Sequence, residues 1–76
     1  MAEATRTLDV RGQSCPLPIV RASQAIKTLG SGETLEVFAT DRGALSDFAA
    51  WSKTTGNELV EQTEDGGVLR FVLRKS

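Results

Sequence analysis

Among residues able to do chemistry, Cys15 is singular: it is the one cysteine of the chain, set in Gly12-Gln13-Ser14-Cys15-Pro16-Leu17-Pro18-Ile19. Proline suits the first turn of a helix, because the N–H it lacks would be unpaired there and its φ is already helical. Pro16 and Pro18 fit helix positions one and three, which puts Cys15 at the cap. A side chain there faces unpaired amides and the positive end of the helix dipole. Pro18 withdraws one amide, leaving the Leu17 N–H as the donor best placed for the sulfur. Such surroundings favour thiolate over thiol and lower the cysteine pKa below its free value of about 8.5. A lone cysteine also serves commonly as a small buried hydrophobe. Its place between a glycine turn and two helix-starting prolines, at an element end near the surface, favours the reactive role.

Absences narrow that chemistry. The chain has no histidine, so no Cys–His or Ser–His pair exists and the commonest general base is missing. A single cysteine without histidine cannot build a zinc or iron–sulfur site within one chain, and no phosphate-binding or dinucleotide fingerprint occurs. No metal and no cofactor is therefore expected. A net charge of −1 argues against direct nucleic-acid binding and against an anionic membrane surface. One cysteine makes no intramolecular disulfide, and Met1 to Val10 holds no apolar signal core, so the expected location is cytoplasmic. The 76 residues are expected to form one domain, 1–76, with residues 1–4 frayed.

The elements that must position Cys15 follow from periodicity. Thr5 to Val10 alternates as a half-buried strand, with Leu8 and Val10 inward. From Pro16 to Leu29 the stripe Ile19, Ala22, Ile26 and Leu29 is helical, closed by Gly30. Leu17 and Val20 fall off that stripe at the end nearest Cys15 and suggest a partner-docking patch. Glu33 to Thr40 is a second strand, with Leu35, Val37 and Ala39 inward and Phe38 on the other face. Asp41 is a natural cap for a second helix, Ala44 to about Thr54, with Leu45, Phe48, Ala49 and Ser52 inward. Trp51 is placed at the flank of that helix, as a partly exposed cover and a further docking residue. Glu58 to Gln62 and Val68 to Arg74 read as strands joined through Glu64-Asp65-Gly66-Gly67.

The resulting fold class is an α/β two-layer sandwich of order β-α-β-α-β-β. Its four-stranded mixed sheet carries both helices on one face and leaves the other open. A helix between the first two strands makes them parallel and right-handedly connected. Functional residues of parallel units gather where strands end, so Cys15, Asp41, Arg11 and Arg42 are expected along one edge. Val60, Phe38 and Val72 on the open face suggest a weak dimer, although a monomer is the leading expectation.

Taken together, these residues resemble the TusA/SirA/YedF-like small sulfur carriers. The likeness lies in Leu8-Asp9, Gly12, the Cys15-Pro16-Leu17-Pro18 signature, Gly32-Glu33, Leu35-Glu36-Val37, Thr40-Asp41, Gly56, Glu58-Leu59 and the ending Arg70-Phe71 to Arg74-Lys75. It runs from Leu8 to Lys75. The resemblance implies that Cys15 carries sulfane sulfur as a persulfide; Pro16, Leu17 and Pro18 of the motif, with Arg11, Asp41 and Arg42 from the shared edge, are expected to support that site. It implies a cysteine desulfurase or rhodanese-like donor and a thiol-bearing acceptor protein, in tRNA thiolation or in sulfur oxidation. Catalytic power of the sulfurtransferase type would then appear only in their company. Two departures stand out: many members have proline where this chain has Arg42, and many have a cysteine near the position of Ser52. Alternatives from other classes are a single-cysteine thiol redox protein and a non-catalytic RNA- or protein-binding module.

Overall fold

Three alternating segments form the middle of the sheet and one of its edges: β1 (Arg6–Val10), β2 (Thr34–Ala39) and β4 (Val68–Arg74). Between them stand α1 (Leu17–Ile26), α2 (Gly43–Thr55) and β3 (Glu58–Asp65). This computed structural model describes residues 5–14 and 16–76; residues 1–4, expected to fray, and Cys15, expected at the helix cap, lie outside the described residues. Strand order is β1-β2-β4-β3, with β1 parallel to β2 and the other pairs antiparallel. The fold is thus the expected α/β sandwich with a mixed four-stranded sheet.

Register explains which face is dry. Leu8 pairs with Val37 and Val37 with Phe71, while Leu35 pairs with Leu73 and Ala39 with Leu69. These residues share one face, and they meet Ala22, Ala25 and Ile26 of α1 and Ala44, Phe48 and Trp51 of α2 in a single core. Phe48 is its keystone, with its ring 4.5 Å from that of Phe71 and 6.2 Å, edge-on, from Trp51. Burying each large apolar side chain contributes roughly 1.5–3 kcal/mol, and the aromatic geometry adds about 0.5–1.5.

Several boundaries and faces differ from expectation. Trp51 is only 9% exposed, so it is a core residue rather than the partly exposed cover expected of it, which leaves little of the indole for docking. Ala49, expected inward, is exposed. The reason is a rotation of α2: Ala44, Phe48 and Trp51 follow the i, i+4, i+7 rule as well as the expected set does, and the larger indole takes the interior. Ser52, expected inward, is half-buried, and its hydroxyl donates to the Asn57 carbonyl at 2.6 Å, beyond the end of the helix. The end of α1 also comes early, at Ile26, because the N–H groups of Thr28 and Leu29 donate three residues back, to Ala25 and Ile26.

In β3 the strand continues three residues past Gln62, and the turn is the pair Gly66-Gly67, with φ of +58° and +84°. Both angles suit the mirror-image turn that matches strand twist, a conformation glycine adopts without strain. A bulge between Leu59 and Glu61 sets two residues of β3 against one of β4 and leaves Val60 exposed. On the open face Val72, expected there as an apolar contact, is already 9% exposed beneath charged neighbours. Arg70 reaches Glu36 at 2.5 Å and Glu61 at 3.2 Å, and Thr7 donates to Glu36 at 3.2 Å. Those ion pairs cover part of that face, and half-buried Phe38 lines a pocket on the rest of it with Thr63, Asp65, Val68 and Arg70.

Candidate functional site

The loop from β1 to α1 carries the motif, and hydrogen bonds on both sides of Cys15 hold it. After Val10, the Gln13 N–H donates to the Val10 carbonyl at 3.2 Å. Gly12, at φ +81°, donates its N–H to Thr40 Oγ1 at 2.8 Å, tying the loop to the end of β2. Side chains rarely adopt that φ, and nothing lies where a Cβ would project, so conformation rather than space selects glycine.

Beyond the motif cysteine, the helix begins one residue later than expected. Pro16 takes the N-cap position, because the first helical bond runs from the Val20 N–H to the Pro16 carbonyl at 3.1 Å. Pro18 thus stands at the second helical position, where its missing N–H costs nothing. The Leu17 N–H, expected to serve the sulfur, instead donates to the Ser14 carbonyl at 2.8 Å. Ser14 and Pro16, the chain neighbours of Cys15, are both exposed, whereas Pro18 is buried. Leu17 and Val20 are 46% and 42% exposed, a small apolar patch on the first turns of α1.

The edge where β1 and β2 end also holds Arg11, Asp41 and Arg42, as the parallel pairing requires. Their charges are largely compensated. Arg11 grips Asp9 through two side-chain bonds of 2.9 Å, and its N–H adds a third at 3.0 Å. Those bonds hold the Asp9 carboxyl down at about 2, and the same pairing raises Arg11. Arg42 reaches across to Glu64 at 2.8 Å, which raises its own pKa. Asp41 accepts from the Gly43 N–H at 3.2 Å, so it supports the first turn of α2, although Arg42 occupies the cap position itself. Asp9, Thr40 and Glu64 are site-edge residues that sequence reasoning passed over. Only Asp9, two residues from its arginine, had a local signal. Gln13 was also missed: its Oε1 is buried and has no partner among the described residues. No cluster of three or more potential ligands able to hold a metal occurs among the described residues.

Comparison with known proteins fits this arrangement. The family described as Sulfurtransferase TusA matches residues 6–75. The chain belongs to the TusA family. A sulfur carrier protein TusA from Allochromatium vinosum is 47% identical over 76 residues, covering 100% of both chains. The YrkI protein of Bacillus subtilis (strain 168) is 48% identical over 73 residues, which is 96% of this chain and 97% of that one. Among solved structures, a SirA-like protein from Desulfitobacterium hafniense superposes with a TM-score of 0.82 at 26% identity, covering 92% of this chain and 96% of its own. Membership of the TusA family brings the sulfur-carrier role, and with it the need for a sulfur donor and an acceptor. No helix among the described residues is long and apolar enough to cross a membrane.

Proposed function

We propose that this chain is a single sulfur-carrier domain that holds sulfane sulfur as a persulfide on Cys15. The Cys15 thiolate attacks the terminal sulfur of a persulfide on a cysteine desulfurase or rhodanese-like donor. A new S–S bond forms at Cys15 while the donor's S–S bond breaks, and the donor thiolate departs. An acceptor protein's thiolate then attacks the outer sulfur, and the Cys15 thiolate leaves in turn. No external oxidant or reductant enters, and no general base is required once the thiols are ionised. The carrier acts in the cytoplasm, as a monomer, within a tRNA-thiolation or sulfur-oxidation relay.

The observation that carries this reading is the family match from residue 6 to residue 75, with Cys15-Pro16 between β1 and α1 in the chain and Leu17-Pro18 opening α1. Exposed Leu17 and Val20 support it as a landing surface for donor and acceptor. Pro16 and Pro18 fix the entry to α1, while Arg11, Asp41 and Arg42 set the charge of the edge. Both cations, Arg11 and Arg42, are already paired with carboxylates, which limits the charge they offer a thiolate at Cys15.

Incubation with a cysteine desulfurase and cysteine should add about 32 Da, one sulfur, to the peptide containing Cys15, as persulfidation is a reversible cap on a reactive thiol. Cys15→Ser should abolish that gain, and the label should pass to a thiol acceptor. Absence of the gain with an active desulfurase and a competent rhodanese would sink the reading. So would peroxide consumption at the expense of an external thiol.

A further inference from the structure

Of the six arginines in the sequence, four are committed to carboxylates: Arg11 to Asp9, Arg42 to Glu64, Arg70 to Glu36 and Glu61, and Arg74 to Glu58. The remaining two, Arg6 and Arg21, make no ion pair among the described residues, and both line one groove. That groove, about 200 Å³, runs between β1 and α1 and is walled by Arg6, Leu8, Arg21, Gln24, Ala25 and Thr28. Its floor is apolar, since Ala25 is buried and Leu8 half-buried, and its rim is cationic, since both arginines are exposed. One wall is a strand edge: among the described residues β1 pairs only with β2, and it lies at the end of the sheet. An edge strand presents unpaired N–H and C=O groups to whatever extended chain approaches.

We infer that the β1–α1 groove is a docking site for an extended acidic segment of a partner protein, laid beside β1 with its carboxylates on Arg6 and Arg21. Backbone pairing to β1 supplies the affinity and the alternate side chains supply the selection, as in other strand-addition recognition. Arg6 Nη1 donates to Thr28 Oγ1 at 2.9 Å, which holds its guanidinium at the groove's far end rather than in open solvent. Arg21 stands on the α1 wall, so the two cations call for carboxylates on the same side of the incoming strand, two residues apart or a multiple of that. Since β1 runs from Arg6 towards the motif loop, a segment seated here is aligned with the edge from which Cys15 departs. The site depends on no sulfur chemistry, so it stands or falls apart from the carrier reading.

The test uses the full chain and a fluorescein-labelled octapeptide of alternating Glu and Thr. Saturable binding that weakens with salt is expected, with amide shifts confined to β1 and the Arg21 face of α1. Arg6→Glu or Arg21→Glu should each weaken binding about tenfold, because a favourable pair becomes a repulsive one. Arg74→Ala, whose parent guanidinium is held by Glu58, should leave affinity unchanged, as should Cys15→Ser. The inference is overturned by equal binding of both arginine variants or by shifts elsewhere on the fold. It is also overturned if an oligothymidylate of equal charge binds with the same arginine dependence, or if sedimentation shows a second copy filling the groove.

Discussion

Replacing Thr40 by valine removes one hydrogen-bond acceptor and almost nothing else, which makes it a sharp probe of how the motif loop is held. In the fold described above, the Thr40 hydroxyl oxygen takes the Gly12 N–H at 2.8 Å, across 28 residues of sequence. A bond of this kind contributes about 0.5–1.5 kcal/mol net, and the exposure of both residues puts it in the lower half of that range. Taking about 0.5–1 kcal/mol, and an unfolding entropy of about 2.1 cal/mol/K per residue over this chain, the melting temperature should drop by about 3–6 °C. The local signature is more telling. Exchange of the Gly12 amide with solvent should accelerate by about two- to fivefold, the same free energy expressed as an opening equilibrium. Amides in the middle of β4 should change only through the global term. Thr40→Ser, which keeps the oxygen, should restore most of the protection. Unchanged exchange at Gly12 in Thr40→Val would refute the claim that β2 anchors the loop preceding Cys15.

Other outcomes follow from the same coordinates. Trp51→Ala should cost about 3–5 kcal/mol in urea unfolding followed by circular dichroism, since it empties a core position beside Phe48. A loss within about 0.5 kcal/mol would mean a surface indole instead. The hydrogen bonds from Arg11 pull the Asp9 carboxyl down to about 2 from its ordinary 3.8, so its contribution to stability is fully present above that ordinary value. That contribution is lost as pH falls from about 4 through 2; Asp9→Asn should flatten that part of the acid limb, and a carboxyl titrating near its ordinary value by NMR would contradict the pairing with Arg11. At the hairpin, Gly67→Ala forces a side chain onto φ +84° and should destabilise by about 1 kcal/mol or more, with Gly67→Asn milder. Equal stability of both variants would mean a different turn.

Much of the fold could be read from periodicity because β2 alternates cleanly and β4 does so up to Phe71. Leu35, Val37 and Ala39, and likewise Leu69, Phe71 and Leu73, have no competing face. In α2 the pattern was ambiguous: two stripes pass through Phe48, one with Leu45 and Ala49 and the other with Ala44 and Trp51. Burial of the indole breaks the tie, and that depends on space against the sheet rather than on spacing along the chain. Glu64 and Asp65 look like turn residues in the sequence because an edge strand needs no apolar alternation, and their pairing with β4 is made by the backbone. The site divided in the same way. Cys15-Pro16-Leu17-Pro18 announces itself locally, and the shared edge of Arg11, Asp41 and Arg42 followed from parallel topology. What sequence could not supply was the neutralisation of Arg42 by Glu64, 22 residues away, or the diversion of the Leu17 N–H to Ser14.

The irregular step at Val60 has a consequence for how the molecule keeps company. The outer edge of β3 bears Glu58, Glu61, Glu64 and Asp65, and the extra residue between Leu59 and Glu61 throws its amides out of even spacing. Glu58, Glu61 and Glu64 are engaged by Arg74, Arg70 and Arg42 of the same molecule, yet an evenly spaced ladder beside them would still admit a second strand edge, in contacts that propagate without closing. A kinked, mis-spaced ladder spoils that lattice at its first rung. Along that stretch the edge offers an incoming strand no evenly spaced run of backbone partners.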